Sequence, residues 1–150
     1  MAAVDGPVDP QFAARVRESF ARFTLMGTIG ARLARVAPGE VDIELPSRKD
    51  LTQQHGFMAA GILTTVVDTA CGYAAMSLMP ADRTVLTVEY KVNLLAPAVG
   101  DTMIARARVV KPGRTLTVCA GDVFAVTDGK EKVVATMLAT LVAVSLTEPS

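Results

Sequence analysis

The sequence lacks the features that mark several common classes of protein. Its 15 lysines and arginines balance 15 aspartates and glutamates, so the chain has no net charge with which to attract nucleic acid or an anionic membrane. Only two cysteines are present, Cys71 and Cys119, and they have neither metal-ligand spacing nor the number that a disulfide framework needs. We therefore expect no nucleic-acid partner, no membrane partner, no metal site and a reducing, cytoplasmic location.

Segments that would indicate secretion or membrane insertion are also scarce. Residues 1–10 contain no basic segment followed by an apolar run, so we predict no secretory signal. Residues 57–79 carry a single charge, Asp68, and have the length of a membrane span. A carboxylate at the centre of a spanning helix costs about 2.5–3.5 kcal/mol, however, and the segment is rich in Ala, Gly and Thr. A helix enclosed by its own protein is the better interpretation.

Helix and strand signals follow one another along the chain. Residues 9–25 predict a helix with one apolar stripe, with Asp9 as its N-cap and Pro10 at its first position. Two segments, 28–37 and 40–45, predict a hairpin around a Pro-Gly turn. The apolar helix comes next, and four long strand signals follow it. We expect these strands, arranged as a meander, at 85–93, 100–110, 115–126 and 132–144, with Asp128-Gly129 as the turn of a hairpin between the last two.

The chain contains no internal repeat, low-complexity segment or linker, so we predict one domain over residues 1–150. An N-terminal arm and helix would occupy residues 1–26, and the core would occupy 27–145. The predicted class is α+β, with an antiparallel sheet of about six strands wrapped around one long helix. A sheet that covers a helix with one face leaves its other face open, which favours pairing between copies of the chain.

Asp68 is the residue most indicative of function. Burying an unpaired carboxylate costs several kcal/mol or raises its pKa, so its place in an apolar helix suggests a use. The alternative is that Asp68 caps or bridges a neighbouring group, or faces solvent. Its neighbours Val66, Val67, Ala70 and Cys71 leave little room for a solvent-facing stripe, which favours function.

Three weaker signals accompany Asp68. Small residues at 59–61 mark the start of the helix, where free backbone N–H groups can stabilise negative charge, although small residues also serve packing. The basic turn at 111–115 could hold phosphates, although such turns are usually only solvated. Cys71 and His55, the only histidine, would complete a Cys–His–Asp set with Asp68, but a buried Cys is far more often a small hydrophobe.

The order of elements and these residues together resemble the hotdog-fold thioesterases of the phenylacetate-pathway and human thioesterase-superfamily type, over about residues 27–144. In that family a polar amide residue lies six positions before a His-Gly-Gly motif, and the catalytic Asp follows the motif's His by nine positions. Here Gln53, the run 59–61 and Asp68 have that spacing. Further segments resemble the family's small-residue helix, its strand ending in a Pro-Ala corner and its Gly-basic-Thr turn, at 69–74, 88–98 and 113–116.

The resemblance implies an acyl-CoA thioesterase that needs no cofactor. Asp68 would act as general base or nucleophile, the N–H of Ala60, with Gly61, would receive the oxyanion, and Gln53 and Thr87 would orient the reactants. The implied substrate-binding residues are Ala59, Leu94, Leu95, Ala96, Pro97, Lys111, Gly113, Arg114 and Thr115. The resemblance further implies a homodimer or a dimer of dimers, in which Asp68 and Thr87 of one subunit face Gln53 and Ala60 of the other.

Two positions depart from the family pattern. Ala59 stands where the motif has His, Ala60 replaces its first Gly, and His55 lies four residues too early to substitute. The N–H of Ala60 is retained, since a backbone donor needs no particular side chain. A non-catalytic acyl-CoA binding protein is one alternative, and a hotdog hydratase or dehydratase is another, although those enzymes generally need a catalytic His. Aromatic, short-chain and medium-chain acyl groups all suit the sequence, as do carrier-protein thioesters.

Overall fold

The apolar helix in the middle of the sequence forms the centre of the fold. A computed structural model describes residues 6–146, which contain three helices, a short 3₁₀ turn at Lys49–Leu51 and six strands. The elements are α1 (Phe12–Arg22), α2 (Thr24–Ile29), β1 (Arg32–Ala37), β2 (Glu40–Pro46), α3 (Ala60–Met76), β3 (Arg83–Leu94), β4 (Thr102–Lys111), β5 (Leu116–Thr127) and β6 (Lys130–Ser145). Within residues 6–146, no helix has both the length and the apolar character needed to cross a bilayer.

The six strands form one antiparallel sheet in the order β1-β2-β4-β5-β6-β3. The predicted meander of four strands is therefore right for β4, β5 and β6 but wrong for β3. That strand pairs with β6 at the edge of the sheet rather than with β4. No tight turn joins β3 to β4: a connection that includes Pro97 carries the chain across to the free edge of β2.

The two predicted hairpins are confirmed, and their turn residues explain them. Asp128 and Gly129 both have positive φ, 49° and 75°, as a type I′ turn between β5 and β6 requires. Gly39 has φ 70° between β1 and β2. Glycine adopts this conformation without steric cost, which is why the chain turns at these two positions.

The N-terminal region differs from the sequence prediction. The predicted single helix is divided at Phe23 into α1 and α2, and Thr28, which was expected to begin a strand, lies in α2. Gly30 then ends α2 in the left-handed conformation with φ 78°, so β1 begins only at Arg32. The apolar stripe shows where a helix can pack, but it does not reveal that the chain bends at Phe23.

Arg15 attaches the N-terminal helices to the end of α3. Its guanidinium donates to the carbonyl oxygens of Met76, Met79 and Pro80 at 2.9, 2.8 and 2.6 Å, and its Nε lies 3.5 Å from a carboxylate oxygen of Asp9. The last carbonyls of a helix have no partner within that helix and carry partial negative charge. One cation on α1 therefore binds the last carbonyl of α3 and two carbonyls of the turn that follows, and it fixes α1 beside them.

Gly121 allows α3 to lie directly on the sheet. A Cβ at this position would come within 2.6 Å of Cγ2 of Val67 and 3.1 Å of Sγ of Cys71, both on the buried face of α3. No side chain fits between β5 and α3 at this point, so the distance from the helix to the sheet depends on this glycine.

We expect Gly121→Ala to destabilise the protein by about 1–3 kcal/mol, because the added methyl group must push α3 away from the sheet. Urea unfolding measures the change. Gly27→Ala is the matched control, since a Cβ at Gly27 meets nothing within 4 Å. Equal stability of the two variants would show that α3 does not depend on this close approach.

Candidate active site

The carboxylate of Asp68 lies half-buried in the middle of α3 and faces β3. Its Oδ1 accepts a hydrogen bond of 2.8 Å from Oγ1 of Thr87. Burial raises the pKa of Asp68, and the hydrogen bond from Thr87 opposes this effect without cancelling it. The structure thus brings together two of the predicted site residues and makes the carboxylate more basic than a solvated aspartate.

A cavity of about 250 Å³ extends from Asp68 along the space between α3 and β3, and we call it the α3–β3 groove. Its lining residues are Ser19, Phe23, Asp68, Thr69, Gly72, Tyr73, Met76, Thr84, Val85, Leu86 and Thr87. Most of these residues were not predicted. Ser19 comes from α1 and Phe23 from the bend between α1 and α2, and only the docking of α1 against α3 brings them to the groove.

The start of α3 presents unpaired backbone donors. Ala59 has an extended conformation and provides no side-chain cap, and Ala60 and Gly61 are exposed. Backbone bonds hold the segment in place: the N–H of Ala59 donates to the carbonyl of Leu51 at 3.0 Å, and the carbonyl of Ala59 accepts from the next turn. Among residues 6–146 the N–H groups of Ala60 and Gly61 have no acceptor. They can therefore bind an anionic oxygen.

Gln53 lies beside these donors rather than beside Asp68. Its Oε1 accepts a 2.5 Å hydrogen bond from the backbone N–H of His55, which orders the loop before α3. Gln53 and Ala60 line a second cavity of about 400 Å³, together with the predicted corner at the end of β3. The remaining lining residues are Phe57, Met58, Leu63, Leu94, Leu95, Ala96, Pro97 and Ala98.

A single chain does not bring these two groups to one point. Asp68 follows Ala60 by eight residues on the same helix, which corresponds to about 12 Å along its axis. One carbonyl group cannot contact both the N–H of Ala60 and the carboxylate of Asp68 across that distance. The predicted site residues therefore form two half-sites, with Asp68 and Thr87 in one and Gln53 and Ala60 in the other.

The predicted CoA-binding residues are also divided within one chain. The turn between β4 and β5 lies beside the end of β6, where Ala143 N–H donates to the carbonyl of Thr115. The corner after β3 lies beside the start of β6, where Leu95 N–H donates to the carbonyl of Val134. Nine residues of strand separate Val134 from Ala143, or about 30 Å. The turn and the corner of one copy therefore lie at opposite ends of β6.

Arg83 is a cation that the sequence analysis missed. With Gly113 and Arg114 it lines a cavity near the C-terminal end of α3, whereas Lys111 and Thr115 do not line it. Arg83 lies far from the turn in the sequence, and only the unpredicted pairing of β3 with β6 brings it there.

The Cys–His–Asp alternative is not supported by the geometry. Cys71 has no exposed surface, and burial raises the pKa of its thiol. His55 lies exposed in the loop before α3. No group of three or more His, Cys, Asp or Glu side chains within residues 6–146 is placed to hold a metal ion.

The architecture, a curved antiparallel sheet around one long helix with a carboxylate at the middle of that helix, is a hotdog fold. A sequence profile described as "Thioesterase superfamily" matches residues 55–132. A crystal structure of a thioesterase family protein from Silicibacter pomeroyi is 54% identical and has a TM-score of 0.88, with 89% of this chain and 98% of that chain covered. The chain belongs to the Thioesterase superfamily, which confirms the resemblance noted from its sequence.

Two more distant relatives are similar over part of their length. A putative esterase of Halobacterium salinarum is 34% identical over 63% of this chain, and the match spans slightly less than two thirds, 65%, of that protein. Acyl-coenzyme A thioesterase 13 of Homo sapiens is 28% identical over 65% of this chain and 70% of its own. Thioester hydrolysis is thus the general reaction class to which the chain is related.

We expect Asp68→Asn to be more stable than the wild type at pH 7, and this advantage to disappear near pH 3. Because the pKa of Asp68 is raised in the folded state, Asp68 contributes favourably to the stability of the protein at low pH. That contribution is lost as the pH rises through the pKa of the folded state. Asparagine has no charge to bury, so it avoids that loss. Urea unfolding of both proteins across this pH range measures the difference.

Asp50→Asn provides a control of opposite sign. A hydrogen bond from Arg48 lowers the pKa of Asp50, so its contribution is present at neutral pH and lost as the pH falls. Asp50→Asn should therefore not stabilise the protein at pH 7. Its effect on stability should be small at any pH, because the Arg48–Asp50 pair is exposed. A stability difference between Asp68→Asn and the wild type that does not depend on pH would contradict the raised pKa of Asp68.

Proposed function

We propose that the protein hydrolyses acyl-CoA thioesters to the free acid and CoA, at a site completed by two copies of the chain. The main support for this proposal is the half-buried carboxylate of Asp68, which accepts a hydrogen bond from Thr87 and opens onto a cavity. Family membership supports thioester hydrolysis. The similarity to human acyl-coenzyme A thioesterase 13 supports CoA as the thiol carrier.

Asp68 provides the base in this mechanism. Its raised pKa makes it a better proton acceptor than a solvated aspartate, and the hydroxyl of Thr87 fixes its orientation. Asp68 takes a proton from water as the water oxygen bonds to the thioester carbon. The C–S bond then breaks, and the CoA sulfur receives the proton. Direct attack by the carboxylate through an anhydride uses the same geometry, with water resolving the anhydride afterwards.

The start of α3 provides the oxyanion donors. The N–H of Ala60, assisted by Gly61, faces the carbonyl oxygen as it becomes negative, and the helix dipole adds to the attraction. The side-chain amide of Gln53 orients the water or the carbonyl group from the same cavity. Ala59 contributes only small size and an extended backbone, which lets the thioester approach these donors.

The second copy is supported by the exposed edge of β3. This strand is 12 residues long, pairs with β6 on one side only, and carries exposed apolar side chains at Leu86, Val88, Tyr90 and Leu94. A long apolar edge strand tends to pair with another chain. We propose that β3 pairs with β3 of a second copy about a two-fold axis, and that dimers assemble further into dimers of dimers.

Such pairing would bring the half-sites together. In one chain α3 and β3 run in opposite directions, because Asp68 contacts Thr87 whereas Met76, further along the helix, contacts Thr84. A two-fold axis between the β3 strands therefore sets the two α3 helices antiparallel. Ala60 of one copy can then lie level with Asp68 of the other.

The same pairing supports a composite site for CoA. Antiparallel β3 strands place the end of one beside the start of the other, so the corner 94–97 of one copy approaches the turn 111–115 of its partner copy. The corner cavity also contains the side-chain amide of Gln53 and suits pantetheine, whereas Arg114 and Arg83, with Lys111 on the same turn, suit the phosphates. The reaction needs only water beside the substrate, so we propose no cofactor, and we propose the cytoplasm as its location.

Asp68→Asn should lower kcat for acyl-CoA hydrolysis by orders of magnitude, because it removes the base while preserving the shape of the side chain. Release of free thiol from an acyl-CoA panel measures this. Asp122→Asn is a matched control, since Asp122 also accepts a threonine hydrogen bond, from Thr136 at 2.6 Å, but lies outside both cavities. Retained turnover in Asp68→Asn would refute the assignment.

The same assay separates the rival functions. A non-catalytic acyl-CoA binding protein would bind the panel in calorimetry without releasing thiol from any member. A hydratase would instead consume enoyl-CoA without releasing thiol. In either case the wild type itself would fail the thiol assay.

Ala60→Pro should lower kcat by roughly 10²–10³-fold while the protein remains folded. Proline at the first position of a helix removes only a free N–H, and Ala59, at φ −62° and ψ 136°, already has the extended conformation that a residue before proline needs. Circular dichroism checks the fold. Unchanged kcat would show that Ala60 donates no hydrogen bond to the transition state.

A mixture of Asp68→Asn and Ala60→Pro chains tests whether the site is shared. Random two-fold pairing would make about half of the dimers mixed, each with one intact site, so refolding equal amounts together should restore about a quarter of wild-type activity. If both residues served the same site within one chain, the mixture would show only the residual activity of the two variants.

A further inference from the structure

Gly72 is a glycine for which the chain itself gives no reason. It lies in the interior of α3, where glycine is among the least favourable residues. Its φ is not positive, and a Cβ built on it would meet only Cγ1 of Val85, at an ordinary contact distance of 3.8 Å. Gly121, by contrast, is required by the contact between α3 and the sheet. The missing side chain at Gly72 leaves space that nothing within residues 6–146 fills.

That space is the middle of the α3–β3 groove. Gly72 lies one helical turn beyond Asp68 and one turn before Met76, so all three residues share a face of α3. Any side chain larger than hydrogen at this position would project between Asp68 and the far part of the groove. The length of groove accessible from the carboxylate therefore depends on Gly72.

The far part of the groove suits hydrocarbon rather than pantetheine. Phe23, Met76 and Val85 line it with apolar surface. Of the hydroxyl groups there, those of Ser19 and Tyr73 already form a hydrogen bond with each other at 3.1 Å, and that of Thr84 contacts the sulfur of Met76 at 4.0 Å. Pantetheine carries two amide groups that would lose their hydrogen bonds to water in such surroundings, whereas an acyl chain has none to lose.

We propose that the α3–β3 groove holds the acyl group of the substrate and that Gly72 sets how far the chain can extend, which makes medium-length acyl groups the preferred class. This inference rests on the proposed function, because it takes the thioester carbon to lie at Asp68. From Asp68 to Met76 the helix rises about 12 Å. That length accommodates roughly eight to ten carbons, since each C–C bond of about 1.5 Å advances a zigzag chain by less than its length.

The test compares Gly72→Leu with the wild type on acyl-CoAs from butyryl to dodecanoyl. The ratio of kcat/KM for decanoyl-CoA to that for butyryl-CoA should fall by roughly 10–200-fold, the discrimination that a lost methylene-sized space provides in an apolar pocket. Gly72→Ala should give a smaller fall in the same direction, and it should fold at least as well as the wild type because alanine favours a helix. It therefore decides the question if the leucine variant does not fold.

Gly27→Leu is the control variant. Gly27 is also a helical glycine, but it does not line the groove and a Cβ there meets nothing within 4 Å. Its chain-length ratio should equal that of the wild type. Calorimetry with the Asp68→Asn variant adds a readout that does not depend on turnover. This variant should bind decanoyl-CoA more tightly than butyryl-CoA, and the double variant Asp68→Asn, Gly72→Leu should lose that difference in affinity.

The outcomes separate the inference from the proposed function. If the wild type releases thiol and Asp68→Asn does not, but Gly72→Leu leaves the chain-length ratio unchanged, the inference is wrong and the proposed function stands. If Gly72→Leu weakens binding of free CoA as much as that of decanoyl-CoA, the groove holds pantetheine and the inference is also overturned. If the wild type releases no thiol, the proposed function fails, and the calorimetric series still decides whether the groove binds acyl chains.

Discussion

Partial burial of the Asp68 carboxylate is the constraint on which the rest of the site depends. Leaving water raises the pKa of the group, and the single hydrogen bond from Thr87 returns only part of the lost hydration. Such a balance holds only if α3 is fixed relative to β3. Gly121 fixes the distance from the helix to the sheet, and Arg15 fixes the end of the helix against α1. The architecture thus maintains a carboxylate that is more basic than one in water.

A second constraint comes from the helix itself. Its two chemically useful features, the free N–H groups at its start and the carboxylate at its middle, are separated by about 12 Å along one rigid element. A single helix therefore cannot present both to one carbonyl group, whereas two antiparallel helices can. In a monomer the exposed apolar edge of β3 would be prone to pair with unrelated chains. The proposed pairing of β3 with β3 of a second copy explains this edge as the surface that aligns the two helices.

The parts of the structure that were predictable from the sequence are those determined by neighbouring residues. Alternating side chains located the strands, and the Asp128-Gly129 pair located a hairpin, because both depend on local backbone geometry. The position of β3 beside β6 was not predictable, since strand pairing depends on long-range closure. For the same reason the Asp68–Thr87 contact was expected only through the family resemblance, and the places of Arg83 and Ser19 in their cavities were missed altogether.

Glycine and alanine illustrate why side-chain identity alone is an incomplete guide to this site. The family's motif histidine is replaced by Ala59, yet the extended backbone there still leaves the next two N–H groups free, so the oxyanion donor that we propose depends on helix geometry and not on that side chain. Gly121 and Gly72 look equivalent in the sequence. In the structure their roles differ: packing between α3 and the sheet requires glycine at position 121, whereas nothing in the described chain requires it at position 72. A residue that internal packing leaves unexplained is therefore a reason to look for a molecule that the protein binds.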